Sequence, residues 1–163
     1  MRSTGEVMGI DTDFGKGFAK AELAANQRLP LSGTVLVSMS DRDKESVVSV
    51  VKELAELGFS VSATEGTRKA LIQQGVENVK LVLKLHEGRP NILDEIKNEK
   101  IQLILNTPSG EEAQADGRKI RRSALAYKIP IITTIAGTKA TADAIRSLKS
   151  QPLEVKALQD YFV

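Results

Sequence analysis

Five short apolar runs, each followed by a polar cluster and then by a helical pattern, constrain the fold of this chain more than any other feature. The runs cover residues 34–38, 59–63, 79–83, 101–105 and 130–132. The fourth run is almost wholly apolar, which is typical of a strand covered on both faces. Strands that alternate with helices pair in parallel through right-handed crossovers. The sequence therefore predicts an α/β fold, a five-stranded parallel sheet with helices on both faces.

Apolar residues three and four positions apart predict the helices. The first helix covers 13–26, and its apolar face carries Phe14, Phe18, Ala21 and Ala25. The later helices run through 47–57, from the turn at 64–67 to residue 74, through 92–98 and 116–127, and to about residue 148. Residues 29–33 interrupt the pattern as a linker, and no clear period follows Gln151.

Composition excludes several classes of function. The 163 residues suffice for one domain, and the absence of Cys rules out disulfides, thiolate nucleophiles and Cys-ligated metals. A single His leaves few ways to build a metal site. The formal charge of +2 and the lack of Trp argue against nucleic-acid binding. No apolar run reaches the ~18 residues of a membrane span and no signal peptide is evident, so we expect a cytoplasmic protein without membrane contact.

The loops that follow the strands share one chemical character. In open α/β sheets, ligands bind beyond the carboxyl ends of the strands. These loops contain hydroxyls, amides, glycines and cations, namely Ser38, Ser40, Lys44, Thr64, Gly66, Thr67, Lys84, Arg89, Asn106, Thr107, Ser109, Thr133 and Thr134. Such groups hold phosphate or carboxylate by charge-assisted hydrogen bonds, and a helix N-terminus adds to the attraction. The sequence therefore predicts a site for a small anion, most consistent with a phosphorylated one.

Structural roles compete with this interpretation. Ser, Thr and Gly at helix starts also act as N-caps and turn residues. The basic run at 118–122 can be a solvated helix face, and His86 is better explained as a structural hydrogen-bonding residue than as a catalytic base. The strand ends carry no nucleophile paired with His, no paired carboxylates and no Walker sequence. A site that binds without reacting fits better than an enzyme site.

Five motifs resemble a known family in order and spacing. They are DKE at 43–45, ATEGT at 63–67, KLHEGRPNI at 84–92, NTPSG at 106–110 and DGRKIRR at 116–122. Together they resemble the C-terminal regulatory domain of carbamoyl-phosphate synthetase large subunits, which has the methylglyoxal-synthase-like fold. The resemblance covers about 33–148, and residues 1–27 resemble the end of the preceding ATP-grasp half. It implies three parts: residues 1–32 as that end with a linker, 33–148 as the regulatory domain, and 149–163 as a C-terminal extension.

The resemblance implies a nucleotide effector. Bacterial members bind UMP as feedback inhibitor, with IMP at an overlapping site. Carried over to this chain, the effector contacts are Lys44, Thr64, Gly66, Thr67, Lys84, Asn106, Thr107, Ser109 and Arg121. Thr133 corresponds to an ornithine contact, but Ile132 stands where some relatives have Asp. Glu111 and Glu112 replace two Arg of many bacterial relatives. No catalytic residue and no metal ligand is expected.

The parent enzyme implied by the resemblance is an ATP-dependent, glutamine-hydrolysing ligase that uses Mg or Mn and serves pyrimidine and arginine synthesis. Its remaining large subunit, a glutaminase small subunit and further copies in a homo-oligomer are the expected partners, and this fragment itself should need no cofactor. Two alternatives stay open. One is a methylglyoxal-synthase-type lyase, although the loops at 88–90 and 106–108 lack its carboxylates. The other is a domain that senses N-acetylglutamate, against which Lys44 and Lys84 favour a phosphate.

Overall fold

The computed structural model describes residues 5–161, apart from the side chain at position 112. The first four residues of the predicted preceding segment and the last two of the extension lie outside this range. In chain order the elements are α1 (Phe14–Ala24), β1 (Gly33–Met39), α2 (Lys44–Glu56), β2 (Phe59–Ala63), α3 (Glu65–Gln73), β3 (Lys80–Leu81), α4 (Ile92–Lys97), β4 (Leu103–Thr107), α5 (Glu111–Ala126), β5 (Ile131–Ile132) and α6 (Ile135–Ser150). Short 3-10 turns cover Asp41–Asp43 and Leu158–Tyr161.

The five strands form one parallel sheet in the order β3-β2-β1-β4-β5, which confirms the predicted fold class. The central strand β1 pairs with β2 on one side and with β4 on the other. The edge strand β3 is shorter than predicted, because it pairs with β2 at only two positions. Beyond it, Leu83 bridges to Asn91 and the chain turns away from the sheet.

Two predicted boundaries near the fourth strand were wrong. The strand was expected at 101–105, but β4 covers Leu103–Thr107 because its pairing with β1 continues to the Met39–Thr107 pair. The next helix was expected to begin near Asp116, but α5 begins at Glu111. Gly110, the residue before this helix, has φ +88°, a conformation that favours glycine and allows the earlier start.

The core has two halves, one on each face of the sheet. Val35 and Val37 of β1 face the apolar residues of α2, α3 and α6. Leu36, which points the other way, packs with Ile104 and with apolar residues of α4 and α5. This alternation follows from the two-residue period of a strand. Helices cover both faces, as predicted.

Helix α1 packs on α6, with a different face from the one predicted. Gly15 and Ala19 are buried, whereas Phe14 is 66% exposed and its ring contacts that of Phe18. This face packs because α1 approaches α6 closely at Gly15, where a Cβ would collide with Asp143 and Ser147 of α6. The predicted division of the chain at residue 32 stays a prediction.

The C-terminal segment returns to the N-terminal one. The Tyr161 hydroxyl donates to the Ile10 carbonyl at 3.2 Å, and Lys20 donates to both oxygens. Lys20 also pairs with Asp11 at 2.6 Å. The segments before β1 and after α6 therefore contact each other. Among the described residues, no helix combines the length and apolar character needed to cross a bilayer.

Candidate anion-binding site

The strand order locates the place where a ligand would bind. From β1 the connections run outward to β2 and β3 on one side, while β4 and β5 lie on the other. The gap between β1 and β4 is thus the point where the strand order reverses, and ligands bind there in open α/β sheets. A cavity of about 530 Å³ opens at the carboxyl ends of these two strands.

The structure brings eight of the nine predicted effector contacts to this cavity. They are Lys44, Thr64, Gly66, Thr67, Lys84, Asn106, Thr107 and Ser109. Four different connections supply them, and they converge because the carboxyl ends of parallel strands share one edge. The structure thus brings these residues together; their binding role stays a prediction.

Two of the predicted hydroxyls hold the end of β1 in place. The Thr67 hydroxyl accepts from the Met39 N–H at 3.0 Å, and the Thr107 hydroxyl accepts from the Ser40 N–H at 3.2 Å. Both threonines are buried. Because their oxygens already satisfy backbone donors, these side chains shape the floor of the cavity.

Asn106 differs from its neighbours. It is only 5% exposed, and its side-chain amide has no hydrogen-bond partner within residues 5–161. Among the described residues, the fully buried side-chain oxygen or nitrogen without a partner is Thr141 Oγ1, so the Asn106 amide still reaches the cavity. An unpaired amide that faces the cavity can bond to a ligand, so Asn106 is a candidate contact.

Two helices present open N-termini to the cavity. Thr64, which precedes α3, makes no side-chain capping bond, and Gly110, which precedes α5, has no side chain to make one. The first N–H groups of a helix lack intrahelical acceptors and carry the positive end of the helix dipole. This edge of the sheet is therefore suited to an anion.

Lys44 is the recessed cation of the cavity, with a side chain 22% exposed. It begins α2 and reaches across to α3, where its Nζ lies 3.0 Å from the position that a Cβ on Gly66 would occupy. Its Nζ also lies 2.5 Å from Oδ1 of Asp41. The hydrogen bond and charge of Lys44, followed by the charge of Lys84, hold the pKa of the Asp41 carboxyl below its usual value.

The third predicted strand, at 79–83, would have placed Lys84 at a strand end from which water is partly excluded, but Lys84 lies at the rim of the cavity. The expected strand ran to Leu83, but β3 ends at Leu81, and the chain then turns outward with Lys84 exposed. The expectation that water is partly excluded from Lys84 was wrong. Its Nζ is available to a ligand, but in a well-solvated position.

Arg121 does not line the main cavity. With Arg118, Gln114, Pro108 and Thr133 it borders a neighbouring cavity of about 380 Å³. Arg121 and Thr133, the predicted effector and ornithine contacts, are both exposed there. Pro108 borders both cavities. A ligand would have to extend past this residue to reach Arg121 from the main cavity.

Sequence reasoning missed two carboxylates that line the main cavity. Asp41 lies in the turn after β1, and Asp116 lies on α5, where Oδ2 is 3.5 Å from Nδ1 of His86. Asp116 was taken as the start of a helix, but the earlier start of α5 places it on an inward face. The spacing of Ala113, Asp116 and Ile120, which all line the cavity, is the signal that could have found it.

A third carboxylate organises the loop after β1. The Ser40 hydroxyl donates to Oδ2 of Asp43 at 2.7 Å. This bond, helped by a second one from Thr107, lowers the pKa of Asp43 against the opposing effect of burial. Asp43 therefore bonds within the loop, whereas Asp41 pairs with Lys44 in the cavity.

The site has several groups that can hold an anion. It offers an unpaired amide, two open helix N-termini and the Lys44 ammonium, with Arg42 and Lys84 at the rim. In the described part of the chain, no cluster of three or more His, Asp or Glu side chains could hold a metal ion. The fold and the site together define an α/β domain of the kind that places a ligand at the carboxyl edge of its sheet.

The chain belongs to the family described as MGS-like domain, which it matches over residues 46–133. It is 69% identical over 161 residues to a carbamoyl phosphate synthase large chain of Nostoc sp. and 68% identical to one of Synechocystis sp.. It is 53% identical to the arginine-specific, chloroplastic large chain of Oryza sativa. These alignments cover 99% of this chain but only 14–15% of the relatives. The resemblance inferred from the five motifs is thereby confirmed.

A solved structure of methylglyoxal synthase from Elizabethkingia anophelis shares the fold. Its TM-score is 0.55 at 21% identity, over 82% of this chain and 92% of that one. At this level of identity the similarity concerns the fold alone. The predicted methylglyoxal-synthase-like fold is confirmed.

Proposed function

We propose that this chain is the effector-binding domain of a carbamoyl phosphate synthase large chain, and that its main cavity binds the phosphate of UMP, with IMP at an overlapping position. The unpaired amide of Asn106, which reaches the cavity, is the observation that supports this most strongly. It lies at the strand-order switch between two open helix N-termini and beside a recessed ammonium. In this proposal the ligand's phosphate pairs with the amide, the helix N–H groups and Lys44.

Calorimetric titration of the 163-residue chain with UMP, IMP and N-acetylglutamate tests the proposal. UMP at ~100 times its dissociation constant should add about 2.7 kcal/mol of stability, which raises the melting temperature by roughly 5–10 °C. Uridine is the matched control, because it lacks the phosphate. Neither heat nor a thermal shift at millimolar UMP would contradict the proposal, and tighter binding of N-acetylglutamate would favour the amino-acid sensor.

A methylglyoxal-synthase-type lyase is the second candidate, and one observation favours testing it. Asp116 lines the cavity beside His86, so a carboxylate lies where a phosphorylated substrate would sit. We nevertheless propose that the domain is non-catalytic and needs no cofactor. Incubation with dihydroxyacetone phosphate should yield no methylglyoxal above the buffer background. Formation that disappears in the Asp116→Asn variant would establish the lyase instead.

The wider setting follows from the relatives. Because the chain spans about 14% of their length, we propose that it acts within a longer polypeptide that carries the ATP- and metal-dependent ligase chemistry. The remaining large chain, a glutaminase subunit and further copies of the assembly are its proposed partners in the cytoplasm. Effector binding would then control carbamoyl phosphate synthesis for the arginine and pyrimidine pathways.

A further inference from the structure

We infer that Asp41 is an internal counterion, which pairs with Lys44 before an anion binds and is displaced from Lys44 when one does. This inference rests on the proposed function of the main cavity. It assigns to Asp41 the role of an affinity-setting residue, which competes with the ligand for the recessed cation.

The geometry of the ion pair supports displacement. Oδ1 of Asp41 lies 2.5 Å from Nζ of Lys44, and both residues line the cavity. The Asp41 side chain is 96% exposed and the Lys44 side chain 22%. Within the described residues, the Asp41 carboxylate has no hydrogen-bond donor other than Lys44. It can therefore rotate into solvent while Lys44 stays in place.

Two other described carboxylates near the cavity have partners of their own. Asp43 accepts from Ser40, and Asp116 lies beside His86 and Lys119. Asp41 is thus the carboxylate that neutralises the recessed cation.

Displacement has a specific energetic consequence. Breaking the Asp41–Lys44 pair costs the same whichever anion replaces Asp41, so every anion loses affinity by the same factor. The ratio between the affinities for a nucleotide and for inorganic phosphate is therefore unchanged, while both affinities are lowered. Asp41 thus sets the affinity of the cavity for anions without selecting among them.

The Asp41→Asn variant tests this role with UMP and inorganic phosphate as probes. An exposed ion pair contributes up to about 1 kcal/mol, so the variant should bind both anions about two- to fivefold more tightly. The tightening should largely disappear in the Lys44→Met background, because without the Lys44 ammonium there is no ion pair for the ligand to break. Glu95→Gln, which removes an equal charge from the remote pair with Lys100, is the control and should leave both affinities unchanged.

Other results would overturn the counterion role alone, or that role together with the proposed function. Unchanged or weaker binding by Asp41→Asn, or equal tightening in the Lys44→Met background, overturns the counterion role while the proposed function stands. Equal tightening by Glu95→Gln also overturns it, since the effect would then come from net charge. A parent chain that binds neither UMP nor phosphate overturns both the inference and the proposed function.

Discussion

At the scale of single residues, the two predicted phosphate lysines differ in their surroundings. Lys44 is recessed and Lys84 is exposed at the rim. Hydrogen bonds to charged groups contribute about 1.5–3 kcal/mol, whereas exposed pairs contribute about 0–1 kcal/mol. Lys44→Met should therefore weaken UMP binding roughly 10- to 150-fold, and Lys84→Met no more than about fivefold. Calorimetry measures both, and a larger loss from Lys84→Met would place the phosphate at the rim.

Asp43 gives a residue-scale prediction about pH. Its native pKa lies below the ordinary 3.8, chiefly because of the Ser40 hydrogen bond. A lowered pKa contributes stability that is present above the unfolded value and is lost as the pH falls through the native value. Asp43→Asn should thus be less stable than the parent at neutral pH, and the difference should shrink as the pH falls below 3.8.

Urea unfolding at a series of pH values measures this convergence. Ser40→Ala serves as the partner variant, since it removes the main cause of the lowered pKa and should flatten the same pH dependence. A stability difference that stays constant down to acidic pH would show that the Asp43 charge plays no part.

At the scale of elements, a substitution of Gly66 at the start of α3 should raise the stability of the fold and weaken UMP binding. Gly66→Ala should stabilise the fold by about 0.4–1 kcal/mol by restricting the unfolded chain. Its new methyl group would meet the Lys44 ammonium at 3.0 Å and displace it from the cavity, so UMP binding should weaken several-fold. Gly17→Ala in α1 is the matched control, because its Cβ meets the nearest atom at 3.6 Å.

Thermal unfolding and UMP titration distinguish the two effects. The control should gain similar stability and keep its affinity for UMP. If both variants bind UMP like the parent, the position of the Lys44 ammonium does not govern binding.

At the scale of the whole molecule, the close contact between α1 and α6 joins the N-terminal segment to the sheet domain. Gly15→Ala places a methyl group against Asp143 and Ser147, and overpacking of this kind costs roughly 1–3 kcal/mol. We expect a lower urea midpoint and faster amide exchange over 14–24, with unchanged UMP affinity because Gly15 is remote from the cavity. Unaltered exchange would show that α1 does not depend on this contact.

Local sequence patterns were enough to predict the alternation of strands and helices, and with it the edge where the polar loops meet. Apolar residues that recur every two or 3.6 positions show which face of a strand or helix is buried. The carboxyl ends of parallel strands lie at one edge of the sheet. Thr64, Asn106 and Lys44 were identified for that reason.

The arrangement of these groups depends on contacts between distant parts of the chain. The pairing of β4 with β1 moved the strand end to Thr107, and the early start of α5 brought Asp116 into the cavity. The turn after β3 exposed Lys84, and the missing side chain of Gly15 selected the face of α1 that packs. Periodicity depends on near neighbours, whereas register and helix approach depend on residues far apart in the chain, which is why the sequence pattern could not supply them.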